Sequence, residues 1–244
     1  MFSILTFSVA EVRVNINSLV VREDLDSEGR RYLPKTKIPF LGLVYSEYPN
    51  GQVEFEGPLE SGLQHGIWVW WYPTGEKKSE ITFSNHLKHG QWRSYFESGY
   101  LQESGSYLED KKEGLWTQYY ESIQTLSEMN YKNDKLHGRL TLWHENGRKN
   151  KEVFYTRGKK HQWELGWYAD GSHRLKLYWY LGLQDGQQIA WYNNGQKEYH
   201  YTFDKGTLIG DINEWYDNGG QRITGSFIAG KQTGTWNWYF PNGN

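Results

Sequence analysis

The chain of 244 residues contains no cysteine. Disulfides, thiolate metal sites, iron–sulfur clusters and cysteine nucleophiles are thereby excluded, and the redox compartment is left open. Alanine is almost as scarce, with four residues, and methionine contributes two. Alanine is the best helix former, so this shortage disfavours a helical fold from the outset. Neither sign of charge is in excess: 27 Lys and Arg stand against 29 Asp and Glu, a net charge of -2. A nucleic-acid binder carries a strong basic footprint, so nucleic acid is not expected as a partner. No apolar run approaches the roughly 18 residues that a membrane-spanning helix needs.

What the chain has instead is aromatic side chains and glycine. Aromatics make up 17% of the sequence, with 13 Trp, 19 Tyr and 10 Phe, and there are 27 glycines. Aromatic residues suit the pleated surface of a sheet, and glycines suit its turns. An all-β fold is the expectation.

The first ten residues, MFSILTFSVA, are mostly apolar and end in Ser8-Val9-Ala10. Small residues at the first and third of these positions resemble the end of an export signal. Residues 1–10 therefore read either as a signal-peptide remnant or as an edge strand. The strand reading draws support from the next few residues, where Val12, Val14 and Ile16 alternate with Arg13, Asn15 and Asn17. Export and cytoplasmic residence both stay open at this point. Residues 11–41 are expected to cap one end of the fold, with Arg30, Arg31, Lys35 and Lys37 discouraging edge pairing.

From residue 42 a single period takes over. Glycine stands at 42, 66, 90, 114, 138, 186, 210 and 234, every 24 residues, with Gln162 in the one missing slot. A second series follows nine residues behind: Gly51, Gly75, Gly99, Gly147, Gly171, Gly195, Gly219 and Gly243, with Ile123 as the exception. Residues 42–244 thus hold eight full repeats and a partial ninth, with no insertion to disturb the phase. We number each repeat from its leading glycine as position 0.

Positions 8 and 9 carry Asn-Gly, as in Asn50-Gly51 and Asn194-Gly195, or Asp170-Gly171. Such pairs between apolar alternations predict a two-residue hairpin in a type I′ turn, with positive φ at both residues. Ser122-Ile123 fits that turn badly, because a β-branched residue resists positive φ, and a different turn is expected there. With the turn so placed, positions 2, 4, 6, 15 and 17 share one face, and positions 3, 5, 12 and 14 share the other.

The first face is the more apolar, with Trp68, Trp92, Trp116 and Trp236 at position 2. An aromatic at position 17 would lie opposite the leading glycine and cover its bare backbone. The second face is mixed. Position 5 is aromatic in Trp71, Tyr95, Tyr119, Trp143, Trp167, Trp191 and Trp215, amid acids such as Glu56, Glu80, Glu128 and Glu152 at position 14. Pairing of positions 5 and 12 would set Trp71 against Lys78, Trp167 against Arg174 and Trp215 against Arg222, in cation–π contact. The predicted fold is an elongated, twisted, open, single-layer antiparallel meander of tandem 24-residue hairpins, each burying its aromatic face against its neighbours.

The pattern Gly-x-Trp-x-x-Tyr-Tyr-x-Asn-Gly, with a His-Gly junction, resembles the bacterial MORN-repeat variant family, also described as YwqK-like antitoxins. Gly90-Gln91-Trp92, Tyr95-Phe96 and Leu136-His137-Gly138 are good examples. The resemblance covers residues 42–244 and is weakest in the sixth repeat, where Gln162, Glu164 and Gly166 depart from it. It implies an open sheet of hairpins and a non-catalytic scaffold that binds another protein, in the antitoxin case a toxin. The wider MORN group is linked to scaffolding and to phospholipid contact. An alternative is a cell-envelope module that binds glycan or anionic phospholipid through its aromatic rows.

No metalloprotease, phosphate-loop, nucleophile-elbow or dinucleotide motif is present, so no enzymatic activity and no cofactor are expected. His65, His89, His137 and His161 each precede a repeat. Equivalent points on successive hairpins are about 9.6 Å apart, too far for two such residues to share a zinc ion, so no metal site is expected. The candidate partner-binding residues are the position-5 row: Trp71, Tyr95, Tyr119, Trp143, Trp167, Trp191 and Trp215. A second candidate surface is the basic run Arg148-Lys149-Asn150-Lys151 with Arg157, Lys159 and Lys160.

Overall fold

The computed structural model describes residues 12–22 and 27–242. The expectation for residues 1–10 lies outside the described residues. The chain divides into two compact parts, Met1–Lys111 and Lys112–Asn244. Both are built of strands, and no α-helix occurs among the described residues.

In the first part the predicted N-terminal alternation yields a short strand, Arg13–Asn15, which pairs parallel with Gly42–Glu47. A single 3-10 turn, Ile16–Ser18, ends it, capped by the Asn15 side chain. Val20–Val21 and Arg31–Tyr32 then form a two-stranded antiparallel ladder. Arg31, expected to discourage pairing, is thus itself paired through its backbone. From Gly42 the chain runs as an antiparallel meander through Val53–Glu60, Gly66–Trp71, Lys77–Ser84, Leu87–Tyr95 and Leu101–Leu108.

The second part continues the same pattern. Eleven strands, from Lys111–Tyr119 to Lys231–Trp238, each pair antiparallel with the next. Among the described residues of this part, its two outermost strands do not pair with each other, so its sheet is open.

The repeat and its hairpins are as the sequence predicts, but the two turns of each repeat are exchanged. At positions 8 and 9 the chain makes a three-residue loop. The position-6 carbonyl accepts from the position-9 N–H, and the position-6 N–H donates to the position-10 carbonyl, as in Tyr192, Gly195 and Gln196. Positive φ occurs only at position 9, for example 83° at Gly195. A loop of this kind ends in one left-handed residue and a bulge, and it asks nothing unusual of the asparagine. The two-residue turns with positive φ at both residues lie instead between repeats, at positions 19 and 20. Asn85-His86, Asn133-Asp134, Leu181-Gly182 and Lys205-Gly206 are examples.

The three-residue loop moves the pairing by one residue at position 5 only, and a bulge between positions 4 and 5 restores the predicted register beyond it. Position 5 faces position 11, as in Trp71 with Lys77, rather than position 12. Positions 0, 2 and 4 face 17, 15 and 13, as Gly66, Trp68 and Trp70 face Phe83, Ile81 and Ser79. Position 6 lies just beyond the strand. The aromatic at position 17 does lie opposite the leading glycine, yet no ring atom of that residue is near where a side chain would start on Gly66, Gly90, Gly138 or Gly186. These glycines are required by positive φ at a bulge, between 62° and 101°. Ring-over-glycine packing occurs elsewhere: Trp68 covers Gly57, and Trp236 covers Gly225.

Ile123 corrects a further expectation. It makes the same loop as the other repeats, with its N–H on the Tyr120 carbonyl at 2.9 Å and φ of 65°. The side chain is 66% exposed, so packing gives little compensation. A left-handed backbone costs an L-residue about 1–2 kcal/mol. Ile123→Gly is therefore expected to stabilise the protein by about 1 kcal/mol, read as a higher urea midpoint at an unchanged slope.

In each part the core is a column formed by positions 2 and 15. In the first part it holds Val44, Trp68 and Ile81, and in the second Trp116, Leu140, Val153, Leu177 and Ile212. Two members of the column are polar, Glu164 and Gln188, both at position 2 and both fully buried.

Candidate interaction face

The seven aromatics of the position-5 row are all half-buried. Six of them, all but Tyr119, accept at the backbone carbonyl from a position-6 side chain of the preceding repeat. In the first part, the Tyr48 hydroxyl donates to the Trp71 carbonyl and the Tyr72 hydroxyl to the Tyr95 carbonyl, both at 2.9 Å. In the second part, Tyr120, Tyr168, Tyr192 and Tyr216 donate likewise to the carbonyls of Trp143, Trp191, Trp215 and Tyr239. His144 Nε2 does the same to Trp167 at 3.0 Å. A hydroxyl at position 6 thus reaches the position-5 carbonyl 23 residues further on. The position-8 asparagine adds a parallel tie. Asn50 Nδ2 donates to the Pro73 carbonyl and Asn218 Nδ2 to the Pro241 carbonyl, each at 2.9 Å. The Oδ1 of each meanwhile accepts from the backbone two residues on. This pair of hydrogen bonds, rather than a left-handed φ, is the structural use of the asparagine.

The predicted cation–π pairs do not form. Lys78 lies over Tyr72 at 5.7 Å, and Arg222 is 3.7 Å from the Glu214 carboxylate. The cation comes instead from position 11 of the preceding repeat. Lys77 lies over Tyr95 at 5.8 Å, Lys149 over Trp167 at 5.9 Å and Lys197 over Trp215 at 5.8 Å. At the corresponding place in the sixth repeat, His173 stands between Trp167 and Trp191, with ring centroids 6.3 and 5.9 Å away.

Position-14 acids complete this face. Glu80 receives Lys77 and Arg93, each at 2.9 Å, and the Tyr95 hydroxyl at 3.3 Å. Burial pushes the Glu80 carboxyl up, but hydrogen bonds from the two cations outweigh it and hold the group below its ordinary value. Glu152 is likewise bound by Lys149 at 2.7 Å.

The sixth repeat breaks this arrangement. Lys176 replaces the acid at position 14 and lies over Trp163 at 4.6 Å. Trp163, Leu165, His173, Lys176 and Trp191 line an open trough of about 480 Å³. Trp163 keeps 39% of its surface exposed. The sequence marks this repeat as divergent, and the divergent residues Trp163 and Lys176 are among those that line the trough.

Three lysines of the basic run are tied to carboxylates. Lys151 and Lys160 both reach the buried Glu164, at 2.8 and 2.5 Å, and Lys149 is held by Glu152. Arg148 bonds the Asp170 carbonyl. Among the described residues, no group of three or more His, Asp or Glu side chains could hold a metal ion. His65 stands 3.4 Å from Glu60, and His161 packs on Tyr180.

The MORN repeat variant family model matches residues 64–85, 88–109 and 112–133. A search of curated proteins gives no match. The three MORN segments follow one another in the 24-residue phase read from the glycines, each beginning at position 22 of a repeat. The match includes the position-5 residues Trp71, Tyr95 and Tyr119. The MORN pattern is thus found where Trp68, Trp92 and Trp116 occupy position 2, and the sixth repeat with Glu164 lies outside it.

Proposed function

We propose that this protein is a non-catalytic repeat scaffold that binds another protein along the face bearing positions 3, 5, 11 and 14. Antitoxin-like neutralisation is the particular form of that role we favour. The reading rests chiefly on the trough of the sixth and seventh repeats, where Trp163, Trp191 and Lys176 offer aromatic surface and a cation with no carboxylate opposite. Exposed aromatic anchors beside a cation are what protein interfaces favour. MORN repeats generally serve as scaffolds for protein or membrane-lipid contact. Glu164 holds Lys151 and Lys160 in place, so these two lysines are less available to an anionic lipid headgroup.

The test is affinity capture from native cells with the full chain and with the Trp163→Ser/Lys176→Glu variant. One protein is expected to be retained by the wild type and to fall at least tenfold with the variant, at unchanged circular dichroism. Sedimentation with anionic vesicles, or glycan binding, with no trough-dependent protein captured would favour the envelope-module reading and overturn this one.

A further inference from the structure

The first part contains a cavity that lies apart from the interaction face. It has a volume of about 430 Å³ and opens between the N-terminal segment and the first two repeats. Its floor is aromatic: the rings of Phe55, Trp68 and Trp70 lie 5.8 to 6.3 Å from one another. Val21, Arg31 and His86 stand among the other lining residues. The Trp68 indole N–H is already bonded to the Pro58 carbonyl at 3.0 Å, so that ring offers the cavity only apolar surface.

Arg31 is the unusual member. Arg13 and Arg93 are paired to Glu56 and Glu80, Arg22 bonds the Thr36 carbonyl, and Arg30 bonds Glu28 and the Ser61 carbonyl. The Arg31 guanidinium alone among these arginines has no hydrogen-bond or ion-pair partner among the described residues. Its backbone is nevertheless fixed at both ends, the N–H to Gly62 and the carbonyl to Phe40, each at 2.9 Å. Among the described residues, no carboxylate lines the cavity. A guanidinium anchored at its base, half-buried and unpaired, beside an aromatic floor, matches a ligand with an apolar body and one carboxylate. The volume lies toward the small end of ligand pockets, which suits a single ring system or one short alkyl chain rather than a two-chain lipid.

We infer that this cavity binds a small amphipathic monoanion, an aromatic or medium-chain carboxylate, with its body on Phe55, Trp68 and Trp70 and its carboxylate on Arg31. The inference is independent of the proposed interaction face. It is tested by titration calorimetry of the full chain with 2-naphthoate and decanoate, each below any micellar concentration. Acetate and decyltrimethylammonium serve as probes of head alone and tail alone. One site per chain is expected for at least one of the two carboxylates. Binding should weaken at least tenfold in Arg31→Gln, and also in Trp70→Ala, with folding of each variant verified by near-ultraviolet circular dichroism. Acetate and the cationic detergent should give no saturable heat. Failure of both carboxylates at millimolar concentration, undiminished binding to Arg31→Gln, or equal binding of the cation would each overturn the assignment.

Discussion

Gly57→Ala is expected to cost about 3 kcal/mol, at the upper end of what overpacking a core does. A Cβ at this position would sit 2.2 Å from Trp68 Cδ2 and within 2.5 Å of two more atoms of the same ring. Trp68 is 2% exposed and its indole N–H is bonded to Pro58, so moving the ring breaks that bond and disturbs the core. The backbone of Gly57 is ordinary extended strand, so the cost is steric and not conformational. Gly51→Ala supplies the contrast. Gly51 has φ of 83° but nothing within 4 Å of a Cβ, so its cost is the backbone term alone, about 1 kcal/mol. Urea unfolding of the two variants checks this, and equal losses would contradict the packing argument.

Glu164→Gln is expected to cost about 3 kcal/mol, in the range found when one partner of a buried ion pair is removed. The carboxylate is 2% exposed and accepts from Lys151 at 2.8 Å and Lys160 at 2.5 Å. Both lysines keep about a quarter of their side chains in solvent and can swing outward, which limits the loss. Burial pushes the Glu164 carboxyl up, but the two ammonium groups outweigh it and hold it below its ordinary value of 4.5. The sign follows from linkage. A carboxyl lowered in the folded state stabilises above the unfolded value, and the contribution fades as pH falls through the folded value. The gap between wild type and Glu164→Gln should therefore be full at pH 7 and shrink below about pH 4.5. A gap that is constant down to pH 3 would mean that the carboxylate charge is not what stabilises the site. The triple change Lys151→Met/Lys160→Met/Glu164→Leu should recover most of the loss, because well-packed apolar groups replace a buried ion triad at little cost.

The period, the hairpins and the apolar column were legible because glycine and tryptophan recur in one phase, and a change of phase would reverse every face. The turn types were not, because Asn-Gly satisfies two loops that share one positive φ at the glycine. The deciding signal lay elsewhere, in Gly62, Gly158, Gly182, Gly206 and Gly230 at position 20, where only a turn between repeats could use them. The misplaced turn carried the pairing error with it, since a three-residue loop sets position 11 rather than 12 against position 5. The aromatic row could be read from the sequence, but its fixation could not. The Tyr48 hydroxyl and the Trp71 carbonyl meet only because one hairpin lies beside the next. Glu164 was visible as a departure, yet its meaning depended on Lys151 and Lys160, which come from the preceding repeat.

Each repeat hands its successor the same donors it received from its predecessor. The position-20 N–H returns to the position-22 carbonyl one repeat earlier, as Gly182 does to Lys160 and Gly206 to Gln184. Position 6 reaches forward at the opposite end of the hairpin. A block of 24 residues copied in tandem within the second part would find every such partner waiting, whereas a block one residue shorter would leave both ends mismatched. Length in this protein is therefore a quantity that duplication can adjust in whole steps, without redesign of any joint.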